Sequence, residues 1–132
     1  MGGVELLLDT HALLWWWSDP GRLAARVDSL LRDPANIIHV SAASAWEIAT
    51  KHRIGKFPDG GRIVAQWEER IASDRFFELP MTFRHALRAG SLPGDHRDPF
   101  DRMLAAQSII EGLSVVSIDE QISALGAERV WE

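Results

Sequence analysis

Three acidic landmarks stand where carboxylates can act together. Asp9 ends the apolar run Val4-Glu5-Leu6-Leu7-Leu8, and Asp119 follows Val115-Val116-Ser117-Ile118 in the same way. Between them, the segment His96-Arg97-Asp98-Pro99-Phe100-Asp101-Arg102 opens an apolar helix pattern. Acids placed where strands stop and helices begin converge on one rim of a parallel sheet, where open α/β folds put their ligands. Carboxylates crowded there repel one another and raise each other's pKa unless a divalent cation neutralises them, and carboxylate oxygens are matching ligands for Mg²⁺ or Mn²⁺. Each acid also has a simpler role, because an acid at a helix start accepts from orphan amides and opposes the positive end of the dipole. Asp98, directly before Pro99, fits that role best. Asp101 falls on the first turn, outside the packed stripe of Leu104, Ala105 and Ile109. Glu47 lies between Trp46 and Ile48 and four residues before Lys51, the spacing of an ordinary helical ion pair, yet its position after a strand lets it reach back over the same rim.

The surrounding pattern supplies elements to hold these residues. Val4–Leu8 reads as a buried strand and Thr10–Trp17 as a helix halted by Ser18-Asp19-Pro20-Gly21; Leu23–Leu31 has helical spacing. Ile37–Val40 is a second strand, with Ser41 capping a helix that runs toward Gly55. A turn-rich break spans Gly55–Gly61, Ile63–Ala72 is one amphipathic helix, and Phe76–Leu79 is a strand stopped by Pro80. Thr82–Ala89 suits a short helix, Gly90–Arg97 a loop, and Asp98-Pro99 starts a helix running to Gly112. Leu113–Ile118 is a strand, Glu120–Leu125 a short helix and Arg129–Trp131 an edge strand. Alternating strands and helices predict an α/β fold: a mainly parallel, twisted sheet of four to five strands between two helical layers.

One domain spanning residues 1–132 is expected, since 46% apolar residues suffice for a substantial core. The net charge of −5 argues against broad adhesion to nucleic acid through a basic surface. The absence of cysteine removes disulfides, thiolate zinc sites and cysteine nucleophiles. The opening Met1-Gly2-Gly3-Val4-Glu5 carries no basic start or cleavage pattern, and no apolar run approaches a bilayer's thickness, so a cytoplasmic chain without a membrane role is expected.

Four fragments, in order, resemble the PIN-domain family, and within it the VapC-type ribonuclease toxins of bacterial toxin-antitoxin pairs. They are Leu7-Leu8-Asp9-Thr10-His11-Ala12-Leu13-Leu14-Trp15, Ser41-Ala42-Ala43-Ser44-Ala45-Trp46-Glu47-Ile48-Ala49, His96 through Gln107, and Val115-Val116-Ser117-Ile118-Asp119. The resemblance implies an acidic quartet of Asp9, Glu47, Asp101 and Asp119. Asp9, Asp101 and Asp119 would be metal ligands, and Glu47 would act through water or a second ion. Where the family often has Arg or Asn near the last motif, this chain has Ile118. Thr10, Ser41, Asp98 and Ser117 would orient the acids. The resemblance further implies an RNA substrate, a small VapB-like antitoxin and a homodimer. In-line hydrolysis of a phosphodiester with Mg²⁺ or Mn²⁺ would leave a 3′-hydroxyl and a 5′-phosphate.

Arg97, Arg102 and Lys51, with Arg53 and Lys56, lie near the rim in sequence and are candidate phosphate contacts, although each also suits a solvated surface. Trp15, Trp16 and Trp17 sweep about 200° around one helix, so at least one is expected near the surface as a partner interface unless a loop covers it. The five histidines show no metal-binding pair at helical spacing and read as packing or surface residues. Two other readings compete. A Mg²⁺-binding receiver domain would need paired acids after the first strand and a lysine after the last, but Thr10 and His11 follow Asp9 and no lysine follows Lys56. A catalytically silent PIN-like scaffold would not need an intact quartet.

Overall fold

A computed structural model describes residues 3–132; Met1 and Gly2, where the sequence reading begins, lie outside the described residues. Five strands, β1 (Glu5–Leu8), β2 (Ile37–Ser41), β3 (Phe77–Leu79), β4 (Ser114–Val116) and β5 (Arg129–Val130), form one sheet in the order β3-β2-β1-β4-β5. All four pairings are parallel. Leu6 and Leu8 point into one apolar layer and Leu7 into the other, the alternation of a strand covered on both faces.

The first layer is built by α1 (Thr10–Ser18), α2 (Ala25–Arg32), α3 (Ala42–Arg53), α4 (Gly60–Ala65) and α5 (Trp67–Ser73), which contribute Leu13, Val27, Ile48, Ile63 and Ile71 to one cluster. The second is built by α6 (Phe83–Ser91), α7 (Pro99–Glu111) and α8 (Gln121–Ala124), with Ala89, Leu104, Ala105 and Ile122. The chain thus has the expected three-layer α/β architecture. Gly112, at φ 70°, ends α7 in the left-handed conformation that spares glycine a Cβ clash, and the Leu113 amide reaches back to the Ser108 carbonyl at 3.0 Å.

Two expectations about elements need correction. The span read as one helix over Ile63–Ala72 is two, joined at Gln66, whose ψ of 14° leaves the helical range. No proline or glycine marks that joint in the sequence. The first of the two also begins earlier, at Gly60, inside the stretch read as a turn. There α4 packs directly on α3: a Cβ on Gly60 would lie 2.8 Å from the Cβ of His52, and one on Gly61 would lie 2.9 Å from its ring. Glycine serves close approach here as well as turning. No helix among the described residues is long and apolar enough to cross a membrane.

Candidate acidic site at the sheet switch point

β1 continues to β2 on one side, while β4 enters on the other, so the strand order reverses between β1 and β4. The carboxyl ends of these two strands flank the crevice where open α/β sheets accept ligands. Asp9 occupies the end of β1. Its amide donates to the Val116 carbonyl of β4 at 3.1 Å, and its carboxylate caps α1 by accepting from the Ala12 amide at 2.7 Å. Burial pushes its carboxyl up to about 6; hydrogen bonds from Ser117 and Ala12 and the nearby His11 oppose the rise, and the negative charge of Asp101 adds to it. A carboxylate so short of water favours either a proton or a cation.

Asp101 lies on the first turn of α7, at the same edge. Its carboxyl is also raised, first by burial and then by Asp98 and Asp119, while His96 pulls it back. Asp101 thus feels Asp98 and Asp119 and itself bears on Asp9. His96 Nε2 donates to Asp101 Oδ2 at 2.8 Å. Asp98 caps α7, accepting from the amides of Phe100 at 2.9 Å and Asp101 at 3.4 Å. Asp119 Oδ1 accepts from the Gln121 amide at 2.9 Å, and its own amide donates to Ser117 Oγ at 3.0 Å.

Glu47 is 3% exposed on α3 and accepts from Lys51 Nζ at 2.5 Å. One turn earlier, Ser44 Oγ accepts from the Thr10 hydroxyl at 3.0 Å, tying α3 to the start of α1 beside Asp9. Ser41 caps α3 through the Ala43 amide at 3.0 Å. Each acid thus has a protein partner, and among the described residues no three acidic or histidine side chains are drawn close enough together to close on an ion as they stand. The donor chemistry still fits a hard divalent cation, because two carboxyls are raised first by burial and then by neighbouring negative charge.

The candidate phosphate contacts divide. Arg97 is exposed in the loop before α7. Arg102 is not free as expected: its guanidinium donates to the carbonyls of Ala89 at 2.9 Å, His96 at 3.0 Å and Leu92, and so holds the loop against the end of α6. Lys51 is committed to Glu47. Arg53 ends α3 and Lys56 lies beyond it. With α3 starting at the rim, a rise of about 1.5 Å per residue carries both roughly 16 Å or more from it.

The tryptophan run is partly covered. All three indoles are half-buried. Trp15 packs edge-on to Trp131 beneath Arg22, and Trp16 lies against Phe76 and under Arg32. Trp17 meets Trp67 at 88°. The N–H groups of Trp16 and Trp17 both donate to Asp74 Oδ2, at 3.1 and 2.7 Å. Neighbouring segments cover part of each indole and leave the rest open, so the run is neither core nor free surface.

A family model for the PIN domain matches residues 6–128. The chain belongs to the PIN-domain family. It is 28% identical over 124 residues to Ribonuclease VapC22 of Mycobacterium tuberculosis, covering 90% of each chain. The fold is also similar to VapBC2 from Rickettsia felis bound to a promoter DNA fragment, with TM-score 0.71, 14% identity, and coverage of 98% of this chain and 100% of that one. FitAcB from Neisseria gonorrhoeae has TM-score 0.64 and 21% identity over 94% and 95% of the two chains.

In this PIN domain, the sequence pattern passed over one residue that touches an acid, His96, and one that holds the neighbouring Thr10, Ser44. His96 was sought as half of a helical histidine pair, whereas it reaches Asp101 by the path of a loop. Ser44, one turn before Glu47, carried a usable signal: a hydroxyl on the same helix face as a buried acid.

Proposed function

We propose that this chain is a divalent-metal-dependent endoribonuclease and the toxin of a toxin-antitoxin pair. The observation that carries the reading is the pair of carboxyls, buried Asp9 and half-buried Asp101, at the switch point of a PIN-domain sheet, where the charge of Asp101 bears on Asp9. Asp9, Asp101 and Asp119 would hold the cation. Glu47, with its charge balanced by Lys51, would orient the attacking water. A bound Mg²⁺ or Mn²⁺ supplies charge neutralisation at the phosphoryl oxygens and a more acidic water.

The protein's own contribution is positional. Asp98 and Gly112 fix the two ends of α7, and Arg102 pins the preceding loop, so that Asp101 stays at the rim. Ser117 orients Asp9 while receiving the Asp119 amide, which couples the two strand-end acids. Thr10 and Ser44 hold the helix carrying Glu47 against the start of α1. The toxin reading is supported by likeness to Ribonuclease VapC22 and to chains in toxin-antitoxin complexes, one of them from Klebsiella pneumoniae. In this reading the protein works in the cytoplasm as a homodimer, and a small VapB-like antitoxin occludes the acidic pocket.

The test is cleavage of RNA by purified protein with Mg²⁺ or Mn²⁺, with the ends mapped. Wild type should leave 5′-phosphate ends, cleavage should stop with chelator, and Asp9→Asn or Asp101→Asn should lose at least about 100-fold in rate, the loss expected when a group stabilising the transition state is removed. Undiminished cleavage by either variant would overturn the assignment. Growth arrest only by the chain with intact acids, relieved by the product of a neighbouring small gene, separates a toxin from a solitary nuclease.

A further inference from the structure

The acid rim is bordered by an aromatic pair that the core does not account for. Trp46 is 54% exposed, although it adjoins the buried Glu47 on α3. Its ring meets that of Phe100, the second residue of α7, with centroids 4.9 Å apart and planes at 79°. Phe100 stands between Asp98 and Asp101, so the pair bridges the two helices that carry the acids. This edge-to-face contact steadies a large apolar ring while more than half of its surface stays open to solvent.

Two features select an occupant for that surface. The pair is continuous with the acids, so whatever lies on it also lies beside the reacting centre. Cations are scarce there: Arg97 alone is exposed beside the acids, while Lys51 is bound to Glu47, Arg102 to backbone carbonyls, and Arg53 and Lys56 stand at the far end of α3. A strand of nucleic acid approaching such a rim gains little from phosphate contacts. Stacking supplies affinity without positive charge and without regard to sequence, because every base has a π-face.

We propose that Trp46, steadied by Phe100, is a stacking platform for one unpaired nucleobase of an RNA strand whose neighbouring phosphate enters the acid rim. The proposal rests on the ribonuclease reading above and adds a binding residue and a preference for unpaired substrate.

The test uses the full chain carrying Asp9→Asn, which holds RNA without cutting it, and a fluorescein-labelled unstructured oligoribonucleotide beside the same sequence in a duplex. Adding Trp46→Ala should weaken single-strand binding by about 5- to 150-fold, the range of one lost base stack, with little change on the duplex. Trp46→Phe should restore most of the loss. With Asp9 intact, Trp46→Ala should raise KM by a similar factor and change kcat less. Single-strand affinity equal to the parent's, an equal loss on the duplex, or a loss confined to antitoxin binding would each overturn the proposal; the last would assign the pair to protein docking. If wild type cuts RNA and Trp46→Ala in either background behaves as its parent does, the platform alone falls. If wild type neither binds nor cuts RNA with Mg²⁺, the ribonuclease reading falls and takes the platform with it.

Discussion

Asp9 is both a helix cap and a buried charge, and substitution can separate the two. Asparagine caps a helix about as well as aspartate, so Asp9→Asn keeps the acceptor for the Ala12 amide and removes only the charge. The folded-state carboxyl titrates at about 6 against an ordinary 3.8. As pH rises between those values, the folded chain holds a proton that the unfolded chain has lost, so this group's contribution to stability falls; above about 6 the cost of the buried charge is fully present. Without metal, Asp9→Asn should therefore be more stable than wild type at pH 7.5, by about 1–3 kcal/mol, with the gain fading toward pH 4. Added Mg²⁺ should raise Tm for wild type at pH 7.5 and do so much less for the variant. Thermal unfolding at both pH values, with and without Mg²⁺, checks this, and a variant less stable than wild type at pH 7.5 contradicts it. Asp9 was legible in the sequence because its signal is local, an acid ending an apolar run. The His96–Asp101 contact was not, because it depends on how a loop without periodicity returns onto a helix.

At the scale of elements, the loop between α6 and α7 depends on Arg102. A planar guanidinium can serve three carbonyls around its edge, whereas a lysine ammonium is a point donor on a flexible stem. Arg102→Lys should thus cost about 1–3 kcal/mol of stability and reduce cleavage by loosening the start of α7, while the dependence of RNA binding on salt stays as in wild type. Denaturant unfolding together with binding at several ionic strengths checks both parts. A shallower salt dependence would show that Arg102 touches phosphate after all. The helices and strands around this loop were visible in caps and apolar runs: Ser41, Thr82 and Asp98 all cap where the sequence suggests a start. The joint at Gln66 was invisible, since it carries no breaking residue, and so was the partial cover of the tryptophan run, which comes from distant Asp74, Trp67, Phe76 and Trp131. Local pattern reports which residues are apolar; it does not report which far segment lies over them.

For the molecule as a whole, the parallel α/β class followed from the alternation of elements, but the order β3-β2-β1-β4-β5 did not, because short strands carry no label for their neighbours. That order places Asp9 and Asp119 at adjacent strand ends, and it also decides which cations can serve them. A chain of net charge −5 has few to spare, and of the five sequence candidates only Arg97 is both exposed and beside the acids. Single-strand binding loses affinity with salt in proportion to the phosphates neutralised, with a logarithmic slope of about −0.7 per phosphate. One or two such contacts imply that raising monovalent salt from about 50 to 200 mM, at constant Mg²⁺, should weaken binding of unstructured RNA by less than about tenfold, whereas six or more contacts would cost over about 300-fold. Measured on the Asp9→Asn chain, a steep dependence would mean that arginines distant from the rim form a phosphate track along the surface, with the strand taking a different path from one led by Arg97. A shallow dependence would mean that an acidic protein holds an acidic polymer chiefly through its aromatic surface, with very little help from its own positive charge.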